Sequence, residues 1–337
     1  MKPTIKDVAR LAGVSVGTTS KVINGKGGVA SELQWKVNEA IRSLNYHPNA
    51  IARSLKSSNT STVAMLLADI TNPFQTMMAK GVEEVVYESN YQLLISSTKE
   101  SPEIEGKKLL MLHEKRVEGV IICSTGKVDE EIRTLIAGNV RIVFVDRPVY
   151  RFQADIIADN STVGMELLIK HLYDYGHRRI GVIHGDLSSI HGQLRYEGVM
   201  QALARFGLDV SSNLHIMGNF TFEGGVRGAV ELLGMESPPT AILAANNNMT
   251  AGVLRACRDN QIRIPQDVSV VSFGKLEYSW DLITPTLTHV SQSPLGIGRK
   301  AAELLLRRLS GQSEEQVSHI FLTPELVLGE SSGFVES

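Results

Sequence analysis

Apolar positions near the amino terminus recur at helical spacing. Ile5, Val8, Ala9 and Ala12 share one face, Gly13 interrupts the run, and Val14, Thr19, Val22 and Ile23 resume it. The pattern predicts two short amphipathic helices around the turn Gly13-Val14-Ser15, a helix-turn-helix unit. Ser15 is placed to cap the second helix, and in such a unit the residues behind the cap face the major-groove floor. Those residues are Val16, Gly17, Ser20 and Lys21.

A second pattern begins at Val63. Short, β-branched apolar runs alternate with longer amphipathic stretches, giving strands at Val63–Ala68, Gln92–Ser96, Gly119–Cys123, Arg141–Val145, Ile156–Ala158, Ile180–His184, Ala241–Ala245 and Val268–Phe273. Alternation of this kind means parallel sheets with helices on both faces. The stretch is longer than one sheet normally organises, so two α/β lobes are expected. Between the two patterns, Pro48 can start a helix and Asn49 to Leu55 supply helix formers. Seven residues are too few for a helix that persists alone. Ser57 to Thr62 reads as a flexible polar connector.

Charge separates the same regions. The whole chain carries a formal charge of −2, yet residues 1–60 hold nine Lys or Arg against Asp7, Glu32 and Glu39, so the remainder is acidic. Such asymmetry is expected when one module neutralises phosphates and the other does not.

With TIKDVARLAGVS, the third-helix stretch Ser31 to Leu44 and the hinge YHPNAIARSL in this order, the chain resembles the lactose-repressor (LacI) family of bacterial transcription regulators. TNPF at Thr71 to Phe74, RVEGVI at Arg116 to Ile121, FVDRP at Phe144 to Pro148, YGHRRIGVI at Tyr175 to Ile183 and PQDVSVVSF at Pro265 to Phe273 extend the likeness. The resemblance implies a small all-α helix-turn-helix headpiece at 1–47, a hinge helix and linker at 48–60, and an α/β two-lobed, periplasmic-binding-protein-like core at 61–337 for effector binding and dimerisation. Three crossings would divide that core into lobe 1, about 61–160 plus 291–321, and lobe 2, about 161–290 plus 322–337.

The resemblance also implies a homodimer on a near-palindromic double-stranded operator, gripped through Thr4, Ser15, Val16, Gly17, Thr18, Ser20, Lys21 and Asn24 and through hinge residues Asn49, Ala52, Arg53, Leu55 and Lys56. Leu55 would wedge between central base pairs in the minor groove. Many members read Ala-Thr-Val-Ser-Arg where this chain has Gly17-Thr18-Thr19-Ser20-Lys21. Gly17 offers no side chain to a base, and Lys21 replaces a bidentate guanidinium by a point charge. Direct readout is left mainly to Val16, Thr18, Ser20 and Lys21.

Ligands of two-lobed parallel sheets sit where loops leave the carboxyl ends of the strands. Those loops supply Asp69 to Phe74, Ser124, Asp146 with Arg147, Gly185 to Arg195, Asn246 to Asn248 and Gly274 to Trp280. The effector-site candidates are Asn72, Phe74, Ser124, Asp146, Arg147, Arg195, Asn247, Lys275 and Trp280. Phe74 or Trp280 could stack on a sugar's apolar face, and Arg195 matches the family Arg that grips the effector. Asn247 and Lys275 stand where sugar-responsive members often carry Asp. Arg147, Arg195 and Lys275 would then leave the pocket positive unless Asp146 or Glu277 offsets them, favouring a sugar acid or sugar phosphate. A neutral ligand held by amide contacts, or no ligand at all, is the competing expectation.

No nucleophile elbow, Walker loop, HExxH or paired-carboxylate pattern suggests an enzyme. His113, His171, His177, His184 and His191 lack metal-ligand spacing, so neither a metal nor another cofactor is expected. Cys123 and Cys257 fall on core patterns and are expected to be reduced. Low cysteine content and the absence of a leader or of about 18 consecutive apolar residues point to the cytoplasm. The alternative is a solute-binding protein of the same core fold, exported or cytosolic and without a regulatory role; the basic amino terminus argues against export.

Overall fold

The computed structural model describes residues 3–25, 27–46, 60–276, 284–311 and 316–335. Two compact units divide the chain at Thr60 and Ser61. The first holds α1 (Ile5–Ala12), α2 (Val16–Ile23) and α3 (Ser31–Ser43). Asp7 closes the start of α1 by accepting from the Thr4 backbone N–H at 3.0 Å and its hydroxyl at 2.7 Å. Gly13 ends the helix with a left-handed φ of 67°, a conformation glycine adopts without a Cβ penalty. Ser15 Oγ then accepts from Thr18 N at 3.0 Å and starts α2. Val8, Ala12, Val37 and Ala40 form a miniature core, flanked by Val14, Val22, Ile41, Leu44 and Tyr46.

The second unit contains two six-stranded sheets. Its elements follow in the order β1 (Thr62–Leu67), α4 (Pro73–Glu88), β2 (Gln92–Ser97), α5 (Pro102–Glu114), β3 (Gly119–Ile122), α6 (Asp129–Ala137), β4 (Arg141–Val145), β5 (Asp155–Asp159) and α7 (Ser161–Asp174). Next come β6 (Ile180–His184), α8 (Ile190–Arg205), β7 (His215–Met217), α9 (Phe222–Leu233), β8 (Ala241–Ala244), α10 (Asn247–Asp259), β9 (Ser269–Phe273), β10 (Thr288–Ser291), α11 (Pro294–Leu309), β11 (His319–Leu322) and β12 (Glu325–Val327).

The first sheet has order β11-β5-β4-β3-β1-β2 and is parallel throughout. The second, β12-β10-β9-β8-β6-β7, is parallel except where β12 joins β10. The chain passes between sheets after Asp159, after Ser291 and after Leu322. Separate apolar cores cover the two faces of the first sheet, and a larger one surrounds the second.

β7, β10 and β12 lack the apolar runs that mark most of the other strands, whereas β11 carries Ile320-Phe321-Leu322 at the edge of the first sheet. β10 reads Thr-His-Val-Ser although it lies inside a sheet. The carboxyl-terminal segment makes that composition tolerable, because the Thr288 hydroxyl pairs with Ser332 Oγ at 2.8 Å and Thr288 N donates to Ser331 Oγ at 2.9 Å.

Candidate functional site

In the headpiece, α2 turns Thr19 into the core, where its hydroxyl donates to Ser15 O at 3.1 Å. The opposite face lies open: Ser15, Val16, Gly17, Lys21 and Asn24 are exposed, with Thr18 and Ser20 partly so. Val16 exposes 43% of its surface on this face. A Cβ at Gly17 would meet nothing closer than Ser15 Oγ at 3.6 Å. Asn24 is tied back to Ser20 O at 2.8 Å, and Ser15 and Thr18 hydroxyls pair at 2.9 Å, so part of this polar set is occupied locally. Thr4 is exposed at the start of α1. Arg10, Lys36 and Arg42 are held by Asp7, Glu32 and Glu39, respectively. Asn49, Ala52, Arg53, Leu55 and Lys56 lie outside the described residues, as does Trp280 of the core.

In the second unit a cavity of about 550 Å³ opens at the carboxyl ends of the strands, between the sheets. One lobe contributes Asp69, Asn72, Phe74, Gln75, Glu100, Asp146 and Arg147, and the other Asp186, Ser189, His191, Arg195, residues 219–223 and Asn246 to Asn248, with Gln292 at a crossover. Four helices begin here. Asn72, Ser189, Thr221 and Asn246 cap α4, α8, α9 and α10 with side-chain oxygens. Asn247 Nδ2 donates across the cleft to Asn72 Oδ1 at 3.3 Å, and Gln292 donates to Asp159 where two crossovers meet.

Both guanidiniums are buried, and among the described residues only Arg147 is paired with a carboxylate. Arg147 is held at both ends by Glu100, Nη1 to Oε2 at 2.7 Å and Nη2 to Oε1 at 2.6 Å. Burial works against its charge, but Cys123, Glu100 and Asp146 outweigh that and raise its pKa. Arg195 lies over the Phe273 ring at 4.0 Å and donates from Nη1 to Ala245 O at 2.9 Å, while its Nε has no hydrogen-bond partner. Burial lowers its pKa against the pull of Asp159 and Asp146. Asp146 is raised to about 6 by burial, which the neighbouring Arg147 only partly offsets.

His191 is held neutral by burial, with Arg147 and Arg195 opposing protonation further. Its ring stacks on Phe220 at 4.5 Å and its Nδ1 lacks a hydrogen-bond partner. Phe220 reaches the cavity because Gly185 leaves it room: a Cβ at Gly185 would stand 1.9 Å from the ring.

The structure thus brings together Asn72, Phe74, Asp146, Arg147, Arg195 and Asn247. It separates two other candidates. Ser124 lines an adjoining cavity of about 340 Å³, which shares Arg147 and Ser189 with the first, and its hydroxyl is engaged by Gly126 N at 3.0 Å within its own turn. Lys275 follows Gly274, whose φ of 97° turns the chain, and is exposed outside the cavity lining, where Gln292 contributes instead. The expected positive pocket is therefore corrected. Among the described residues five carboxylates, Asp69, Glu100, Asp146, Asp186 and Glu223, face two guanidiniums.

Glu100, residues 219–223 and Gln292 were missed by sequence reasoning because their positions follow β2, β7 and β10. The last two strands had no apolar signature. The loop after β2 was available in the sequence, since Gln92–Ser96 reads as a strand, and following it would have found Glu100.

A periplasmic binding protein-like domain matches residues 169–332, and the family of bacterial regulatory proteins called lacI matches residues 4–49. The ribose operon repressor of Escherichia coli (strain K12) is 35% identical over 326 residues, covering 96% of this chain and 98% of that protein. The chain belongs to the lacI family. The HTH-type transcriptional repressor PurR of Vibrio atlanticus (strain LGP32) is 38% identical to this LacI-family regulator over 328 residues, 96% of this chain and 97% of that one. A Lac repressor dimer bound to operator and the anti-inducer ONPF superposes with a TM-score of 0.86 at 25% identity, covering 99% of this chain and all of the other. The transcriptional regulator CelR in complex with cellobiose gives 0.73 at 30% identity, covering 98% and 99% of the two chains. The protein is a DNA-binding transcriptional repressor rather than an enzyme, and its small all-α headpiece precedes a two-lobed α/β core. Among the described residues, no helix is long and apolar enough to cross a membrane.

Proposed function

We propose that the interlobe cavity takes a neutral, polyhydroxylated ligand, a sugar, and that its occupancy sets the affinity of a cytoplasmic homodimer for a near-palindromic operator. One observation carries the ligand class: among the described lining residues five carboxylates outnumber two guanidiniums and the Arg147 fork is already filled by Glu100, so an added anion meets an acidic wall, whereas hydroxyls can donate to the acids and accept from Arg195. The unpartnered His191 Nδ1 and the amides of Asn72, Asn246 and Asn247 suit the same chemistry, and Phe74 and Phe220 offer apolar faces. The names of the ribose operon repressor and of the cellobiose complex agree with it.

For DNA, we assign base readout to Val16, Thr18, Ser20 and Lys21, with Thr4, Ser15, Gly17 and Asn24 in backbone contact and Leu55 as the minor-groove wedge between Asn49, Ala52, Arg53 and Lys56. Calorimetric titration with D-ribose, cellobiose and gluconate tests the cavity: a neutral sugar should bind and gluconate should not. Tighter binding of gluconate would defeat this assignment. Leu55→Ala should weaken specific operator binding by about 1–3 kcal/mol and leave random DNA nearly unaffected, read by fluorescence anisotropy on both DNAs.

A further inference from the structure

The Arg147–Glu100 pair has an unusual origin. Both oxygens of Glu100 engage both terminal nitrogens of Arg147, the fork-to-fork geometry that a ligand carboxylate or phosphate would otherwise take. The Arg147 side chain is 8% exposed and that of Glu100 52%, so the carboxylate reaches the guanidinium from the open side. Backbone strain accompanies this arrangement. Lys99 and Glu100 have φ of 55° and 57°, and Asp146, next to Arg147, has 64°. Left-handed backbone at three non-glycine residues is costly and persists where surrounding structure imposes it. Thr98 N and Glu100 N donate to Leu67 O at 2.8 Å and Ala68 O at 3.0 Å, pinning the loop to the end of β1.

We propose that Glu100 is a specificity-determining residue: an internal carboxylate that fills the anion-binding end of Arg147 and turns the cavity toward neutral ligands. This rests on the cavity being the effector site. An entering phosphate would have to displace Glu100 and leave two anions beside one guanidinium, with Asp146 still at 3.9 Å from Arg147 Nε. A neutral hydroxyl faces no such conflict. Arg195 is bonded to Ala245 O rather than to a carboxylate, so substitution of Arg147 in the test separates the two guanidiniums.

The test uses the full-length protein, its Glu100→Gln and Glu100→Ala variants, and the double variant Glu100→Gln with Arg147→Gln, each checked by thermal melting. Dissociation constants are measured for inorganic phosphate, D-ribose 5-phosphate and D-ribose. Freeing Arg147 should tighten ribose 5-phosphate or phosphate by about tenfold or more in both single variants, and the double variant should lose that gain. Unchanged anion affinity in both single variants, or a gain that survives in the double variant, would overturn the proposal. Two single variants of different size guard against one failing to fold. The phosphate arms judge Glu100 by themselves, whereas failure of wild type to bind ribose together with other neutral sugars would overturn the cavity as a sugar site.

Discussion

The headpiece and the core use charge in opposite ways. In the headpiece the chemistry is on the outside: a miniature core of Val8, Ala12, Val37 and Ala40 holds three helices, and the polar face of α2 remains open. In the core the chemistry is inside, where Arg147, Arg195, His191 and Asp146 are buried at the strand ends. An exposed charge on α2 costs little desolvation and is free for a phosphate or base. A buried guanidinium must be compensated by the protein itself, so its presence alone does not announce an anionic ligand. The same residue type thus carries different information in the two units.

The largest expected effect is at Arg195. Arg195→Ala should destabilise the core by about 3–5 kcal/mol, because removing this buried side chain opens a cavity beside the Phe273 ring and leaves Ala245 O without its donor. Denaturant unfolding followed by core fluorescence would measure it, and a loss below about 1 kcal/mol would show that the side chain is not needed to fill that space.

Asp146 gives the next effect, and its sign is fixed. Its pKa in the folded protein, about 6, lies above the ordinary 3.8, so the native state holds the proton more tightly than the unfolded chain does. This contribution favours folding fully below about pH 4 and disappears as pH rises through about 6, a change of roughly 3 kcal/mol at most. Asp146→Asn, which also tolerates the left-handed backbone, should flatten stability between about pH 4 and 6 as measured by urea midpoints. An unchanged slope would remove Asp146 from the titrating groups.

Val37→Ala should cost the headpiece about 2 kcal/mol, since Val37 is fully buried in a core with few other members. Helix content and operator binding should fall together while the melting of the core stays in place. A shift of the core transition by the same amount would mean that the units do not unfold separately. The smallest effect is a gain: Gly17→Ala should stabilise the headpiece by about 0.5–1 kcal/mol, because the position is helical and a Cβ has room. Thermal melting of the headpiece signal would read it, and a loss of stability would contradict the open space at that position.

The sequence by itself determined the headpiece almost completely. Helical period, the Gly13 stop and the Ser15 cap act within a few residues of one another, so the face presented by α2 follows from local spacing. It also determined eight strands; the apolar runs of seven are the direct consequence of burial on both sides of a parallel sheet, while β2 lies at an edge with Leu94 and Ile95 exposed. β10 escaped because its buried Thr288 is satisfied by Gly329, Ser331 and Ser332, residues far along the chain. Only the tertiary structure decided the charge of the cavity. Glu100 and Arg147 are separated by 47 positions, and Asp159 and Gln292 by 133, yet each pair meets where strand ends converge. Whether a buried arginine is free or already answered depends on partners brought together by the fold, and no local pattern of residues encodes that distance.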